Sequence, residues 1–202
     1  SLCRGSHTLC VAITHPEQNA NGLEASGMDV LRILPWGMQS AFAKTRPGYD
    51  AETALFNAAA VLGEKLTACR LRQIADVVHY LDEQNGYERV VFVGQGPGAL
   101  LALLAAALLP KARGAALLET QLSFDALFEA DYYFAPETAF ETGLLRLCDL
   151  PDLAKLAGRV CAFTPKNPAG GSLAPHTPTP IPAHWEKDAL SAAAEWLEDK
   201  LC

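Results

Sequence analysis

The sequence predicts an α/β domain, a three-layer αβα sandwich around a mostly parallel sheet. Three observations predict it. Short runs of small and β-branched apolar residues recur at 9–14 (LCVAIT), 89–93 (RVVFV), 114–118 (GAALL) and 159–163 (RVCAF), and strands this continuously apolar are buried on both faces. Segments with helical apolar spacing lie between them, so the strands are joined by crossovers and not by hairpins. Finally, 90–110 reads VVFVGQGPGALLALLAAALLP: a strand stops at Gly94, Gly96 and Gly98, and an apolar helix runs on to Pro110. Pro97 suits the first helical position, where a backbone N–H has no intrahelical partner.

The 202 residues suit one domain, 1–202, with a sizeable core. A net charge of −7 without any basic run excludes a nucleic-acid footprint. The longest apolar run, 98–110, is too short to span a bilayer. No charged start with an apolar core precedes a cleavage site, and the compartment stays open. The chain opens almost directly onto a strand, which reads as a piece of something larger. Six cysteines (Cys3, Cys10, Cys69, Cys148, Cys161, Cys202) show no C-x-x-C spacing, so neither a metal nor a cofactor is expected. Cys69 and Cys161 fall in apolar patterns and read as core residues. A Cys3–Cys10 pairing is left open.

Taken in order, the strand at 9–14 ends on His15-Pro16, and 16–28 is polar with at most a short helix near 23–26. A second strand, 28–34 (MDVLRIL), is closed by Pro35, and 36–49 is a long connection. Asp50 caps a helix in which Ala51, Leu55, Ala58, Ala59 and Leu62 share one face, and Gly63 breaks it. The pattern resumes with Leu66, Cys69, Ile74, Val77, Val78 and Leu81 and stops at Asn85-Gly86. The 120–157 crossover carries an aromatic cluster (Phe124, Phe128, Tyr132, Tyr133, Phe134, Phe140) that reads as packing. It also holds two short helices, near 142–147 and 152–157, with Asp149 and Asp152 as helix-start caps. Residues 165–182 are too rich in proline for regular structure. The segment 183–201 reads as a final amphipathic helix with Trp185, Leu190, Ala194 and Leu197 inward. Any ligand belongs at the carboxyl ends of the strands, where Trp36 either stacks on it or packs against the neighbouring helix.

Two motifs compete for the glycine turn. Gly94, Gly96 and Ala99 match G-x-G-x-x-A, with Glu119 about twenty residues on at the next strand end, the spacing of a dinucleotide fingerprint. That fingerprint usually opens its fold, and here two strands precede it. Gly94-Gln95-Gly96-Pro97-Gly98 also fits the frame of a nucleophile elbow, G-x-S-x-G, with glycine in place of the serine.

At this point the chain resembles the α/β-hydrolase superfamily, and within it acetyl xylan esterase-like and dienelactone hydrolase-like proteins of bacteria. The residues that carry the resemblance are YDAETALFNAAAVLGEKLTACRLRQIADVVHYLD (49–82), the 90–110 stretch, and GLLRLCDLPDLAKLAGRVCAFTP (143–165). The resemblance spans most of 9–165. It implies a nucleophile at Gly96 and an oxyanion donor at the next residue, Pro97, which has no N–H. The acid would follow the strand at 159–163, where Lys166-Asn167 stand, and the histidine would follow one further strand. His15 marks the start of the second oxyanion loop. His176 and His184 are the late histidines and read as exposed spacers. Without a nucleophile, covalent catalysis is lost. The resemblance therefore implies a non-catalytic domain of an esterase-like protein. The alternatives are an active ester hydrolase with residues elsewhere, or a nucleotide-binding domain.

The family's sheet has two more strands before the first one here and one more after the last. Trimming it leaves a five-stranded, truncated α/β-hydrolase core in flavodoxin-like order: second, first, third, fourth, fifth. The second strand then forms an apolar edge that needs a cover, either the rest of a larger protein or a second copy.

Overall fold

A computed structural model describes residues 7–14, 21–24, 27–38, 51–132, 143–175, 177–186 and 188–201. The strands are β1 (Thr8–Ile13), β2 (Asp29–Arg32), β3 (Arg89–Gln95), β4 (Ala112–Leu118), β5 (Arg159–Phe163) and β6 (Ala183–His184). They form one sheet in the order β2-β1-β3-β4-β5-β6, with every pairing parallel.

The expected order holds for the first five strands, and a sixth is added. The final helix accordingly starts at Ala189, not at 183. The physical reason is the carbonyl side of the proline run. Pro182 lacks an N–H, but its carbonyl accepts from Ala162 N–H at 2.8 Å, and the His184 carbonyl accepts from Thr164 N–H at 2.8 Å. Proline is tolerated on an edge strand, so two residues suffice to extend the sheet. Trp185 therefore lies outside the helix, its indole N–H donating to the Leu173 carbonyl at 2.9 Å. The proline-rich segment itself contains one antiparallel bridge, Lys166 to Ser172.

The helices are α1 (Asn21–Glu24), α2 (Ala51–Val61), α3 (Leu66–Asn85), α4 (Pro97–Leu108), α5 (Leu150–Leu156) and α6 (Ala189–Leu201). One face of the sheet packs Leu9, Val11, Ile13, Phe92 and Leu117 against Ile74 and Val78 of α3, nearly all of α4, and Leu150 and Leu153 of α5. The other packs Val93, Ala116, Cys161 and Phe163 against Leu23 of α1 and Leu190, Ala193 and Leu197 of α6. Helix α4 is apolar all round, and every residue of it but Leu108 is buried or half-buried. No helix among the described residues is long and apolar enough to cross a membrane.

Helix α5 starts with a capping box. Asp149 accepts from Leu150 N–H at 2.7 Å, and Asp149 N–H donates to Asp152 Oδ2 at 3.3 Å. The same carboxylate accepts from Phe124 N–H at 2.8 Å and Ser123 Oγ at 2.5 Å, which ties the crossover down. Both aspartates are caps, as expected. The aromatic cluster is not all packing: Phe124 is buried, but Phe128 and Tyr132 are 79% and 68% exposed. Tyr133, Phe134 and Phe140 lie outside the described residues, as does Asp50.

Helix α2 departs most from its pattern. Its sole buried residue is Glu52, while Val61 and the adjoining Leu62 are 87% and 78% exposed. Glu52 Oε1 accepts from Arg70 Nη1 at 3.0 Å, with side chains 1% and 5% exposed. Arg70 Nε also donates to the Trp36 carbonyl at 2.9 Å, and Trp36 N–H donates to Gln73 Oε1 at 3.0 Å. A buried ion pair, not the apolar stripe, fixes the facing of α2. The Trp36 backbone is held while its side chain stays 56% exposed.

Among the described residues four cysteines are free thiols, with Cys10 and Cys161 buried and Cys69 and Cys148 half-buried. Cys69 is therefore not the core residue expected, and Cys10 sits unpaired at the centre of the sheet. Burial pushes the Cys10 and Cys161 thiols from the ordinary value of 9.0 up to about 12. The native state then keeps protons that the unfolded chain sheds. Stability from these groups is expected to be complete below pH 9 and to fall as pH rises towards 12. At neutral pH, a thiol-titrating disulfide reagent should react with Cys69 and Cys148 in the native protein and reach Cys10 and Cys161 only with unfolding. Rapid native-state labelling of Cys10 would contradict this burial.

Candidate functional site

At the carboxyl end of β3 the chain turns through Gly96 at φ 50°, ψ −116° into α4, with Pro97 in the first turn. Gly96 N–H donates to the Leu118 carbonyl at 2.8 Å, and its own carbonyl accepts from Ala99 N–H at 3.1 Å. Gly94 and Gly98 make the turn possible. A Cβ on Gly94 would lie 2.5 Å from the Gly98 carbonyl oxygen and 2.6 Å from the Ala99 Cα. One on Gly98 would overlap the Ile13 carbonyl oxygen. At Gly96 the opposite holds: a Cβ meets nothing within 4 Å. Two glycines are there for contact, and the middle one faces open space.

The neighbouring strands leave the sheet in the same way. Glu119 after β4 has φ 50° and Thr164 after β5 has φ 47°. Glu119 N–H donates to the Phe163 carbonyl at 2.9 Å and Thr164 N–H to the His184 carbonyl at 2.8 Å. Positive φ is strained for non-glycine residues, most of all for β-branched threonine. The Thr164 hydroxyl oxygen is also enclosed without a hydrogen-bond partner.

These positions separate the two readings of the turn. A nucleophile elbow needs a sharp strand-to-helix turn, and Gly96 combines a positive φ with a side-chain direction that meets open space. A pyrophosphate cradle needs free N–H groups fanned at the helix start. Here Pro97 has none and Ala99 N–H is engaged. The Glu119 carboxylate, the ribose-binding position of that reading, accepts from Gln95 Nε2 at 2.8 Å.

The remaining positions do not converge on Gly96. Asn167 closes its own turn, its Oδ1 accepting from Gly171 N–H at 2.9 Å. His184 is not a loop spacer: it ends β6 and stacks on Phe163, with ring centroids 5.5 Å apart and planes at 19°. Phe163 belongs to the α6 face of the sheet. Gln95, Leu118, Phe163 and His184 stand in one lateral row, which places His184 three strand spacings, roughly 14 Å, from β3. His15 and His176 lie outside the described residues. No trio of histidine, cysteine, aspartate or glutamate able to hold a metal occurs among the described residues.

Sequence reasoning overlooked Thr14 and Gln121, just past the ends of β1 and β4, which are 5% and 9% exposed. Thr14 is a polar residue directly following an apolar strand, whereas Gln121 stands three residues past β4.

Solved structures that match this chain include esterases. A cold-adapted esterase from an Arctic intertidal metagenomic library, in its zinc-bound structure, matches with a TM-score of 0.61 at 14% identity, over 98% of this chain and 83% of that one. The chain has the α/β-hydrolase fold. Acetyl xylan esterase 1 from Thermoanaerobacterium sp. matches this α/β-hydrolase-like chain with a TM-score of 0.56 at 15% identity, over 90% of this chain and 67% of that one. Est1E from Butyrivibrio proteoclasticus, with ferulic acid bound, gives 0.55 at 13% identity, over 97% and 88%. No protein-family model and no curated protein matches the sequence. At such identities the likeness carries the fold and leaves the chemistry to the residues.

Proposed function

We propose that this chain is a non-catalytic α/β-hydrolase-like domain that binds or interacts and does not hydrolyse. One observation carries the reading: Gly96 holds the elbow conformation, φ 50° and ψ −116°, with no side chain to act from it. Support comes from the missing N–H of Pro97, from Asn167 closed on its own turn, and from His184 stacked on the α6 side.

The purified chain is expected to leave p-nitrophenyl acetate at its uncatalysed rate and to take no label from a serine-directed fluorophosphonate. Turnover abolished by that reagent would replace this reading with an active ester hydrolase using residues elsewhere. Among the described residues β2 ends the sheet, with Leu34 and Trp36 41% and 56% exposed beside it, which supports a second part of the proposal. Here the domain pairs with a second copy of itself or with the rest of a larger protein. Sedimentation velocity tests the first arrangement, and a monomer at all concentrations would remove it.

A further inference from the structure

A short helix is marginal in water and is ordinarily held to its protein by an apolar side. Helix α2 has the sequence for that, AETALFNAAAV, but not the placement. Neither apolar core of the sheet takes a side chain from it, buried or half-buried. Ala58, Ala60 and Val61 are exposed, and Ala54, Leu55 and Phe56 are half-buried. What this helix buries is a charge, Glu52, turned onto Arg70 of α3 at 3.0 Å.

A buried ion pair is a weak fastening, because desolvating two charges offsets most of their attraction. This one is also incomplete, since Arg70 Nη2 is enclosed without a partner. Leaving α3 returns both charged groups to water and uncovers little apolar surface. The joint between the helices permits it. Glu64 N–H donates to the Ala59 carbonyl at 2.8 Å and Gly63 N–H to the Ala60 carbonyl at 3.1 Å, which closes α2 without using α3. Gly63 itself has φ 74° and faces open space, so the chain turns there without collision. By contrast, α3 and α4 bury Ile74, Val78, Ala102 and Leu103 in the main core. Elements with few buried apolar contacts open first.

We propose that α2 is a latch helix, which leaves α3 as a unit while the sheet, α3 and α4 stay folded. The Glu52–Arg70 pair sets how often it opens. Opening bares Arg70 and lifts Leu55 from Gly37, where any Cβ would overlap the Leu55 Cδ1. Arg70 Nε also holds the Trp36 carbonyl at 2.9 Å, so the same motion loosens the chain that leaves β2. The latch goes beyond the non-catalytic reading and does not depend on it: an active ester hydrolase would keep it.

The test is amide hydrogen exchange of the full chain in low urea, read by NMR. The amides of Leu55 to Val61 are expected to share one protection factor, below that of Ala102 and Leu103 and less sensitive to urea. Two variants separate the latch from global unfolding. Ile13→Val, in the core under α4, should lower the protection of Ala102 and Leu103 by roughly two- to tenfold. It should leave α2 unchanged, because the open and closed forms both contain that core. Glu52→Gln should lower the protection of α2 by about tenfold or more, since the closed form alone holds Arg70 unpaired. Joint replacement, Glu52→Leu with Arg70→Met, should restore it. A fall in α2 protection with Ile13→Val, no change in it with Glu52→Gln, or a graded loss from Val61 inward that marks simple fraying would overturn the proposal.

Discussion

Gly98→Ala is expected to lower the unfolding free energy by about 3 kcal/mol, the upper part of the usual range for overpacking. A new Cβ there overlaps the Ile13 carbonyl oxygen, a backbone atom of a central strand that cannot swing aside as a side-chain tip would. Relief requires α4 to lift from the sheet, and α4 contributes Ala99, Leu101, Ala102, Leu103 and Ala105 to the core at 3% exposure or less. Gly94→Ala should be comparable, because its Cβ would lie 2.6 Å from the Ala102 Cβ and 2.6 Å from the Ala99 Cα. Gly96→Ala is the internal control. It meets open space and pays only for positive φ, about 1–2 kcal/mol. Urea unfolding with an unchanged slope measures all three, and equal losses at 96 and 98 would refute the distinction between contact and conformation.

The second large effect is expected at the ion pair. Removing one partner of a buried pair leaves a bare charge, and Glu52→Ala should destabilise by about 3–5 kcal/mol. Burial presses the Arg70 guanidinium below its ordinary range, opposed by the charge of Glu52 and the hydrogen bond to it. The single variant removes that opposition. Arg70 also carries an unpaired, enclosed Nη2, so the pair is satisfied only in part. Replacing both, Glu52→Leu with Arg70→Met, should therefore recover most of the loss. Trp36 reports on the same event, because Arg70 donates to its carbonyl and Gln73 accepts its N–H. Its emission should change in Glu52→Ala before global unfolding. A double variant as unstable as the single one would show that the pair contributes more than its charges.

The edge strands show how far pattern alone reaches. The run 159–163 was legible as a strand to the residue, since β5 is apolar, internal and paired on both sides. At 183–184 no pattern of two residues can be read, and β6 exists because carbonyls of a proline segment happen to meet β5. Helix α2 shows the converse. Its alanine and leucine spacing is that of a buried stripe, yet Glu52 points inward because Arg70, eighteen residues on, waits beneath it. Such a preference for a charge is invisible along the chain. It arises from two helices packing and not from either one.

The sequence by itself determined the α/β class and the first five strands, because these rest on local apolar continuity, while their order followed from the resemblance to the α/β hydrolases. Only the tertiary structure decided that Gly96 takes a φ of 50° and that His184 stacks on Phe163. It also decided that Thr14 and Gln121 are buried. Each of those depends on what neighbouring strands bring alongside. A chain read one residue after another does not contain that information, since the contacts that set it join residues far apart in sequence.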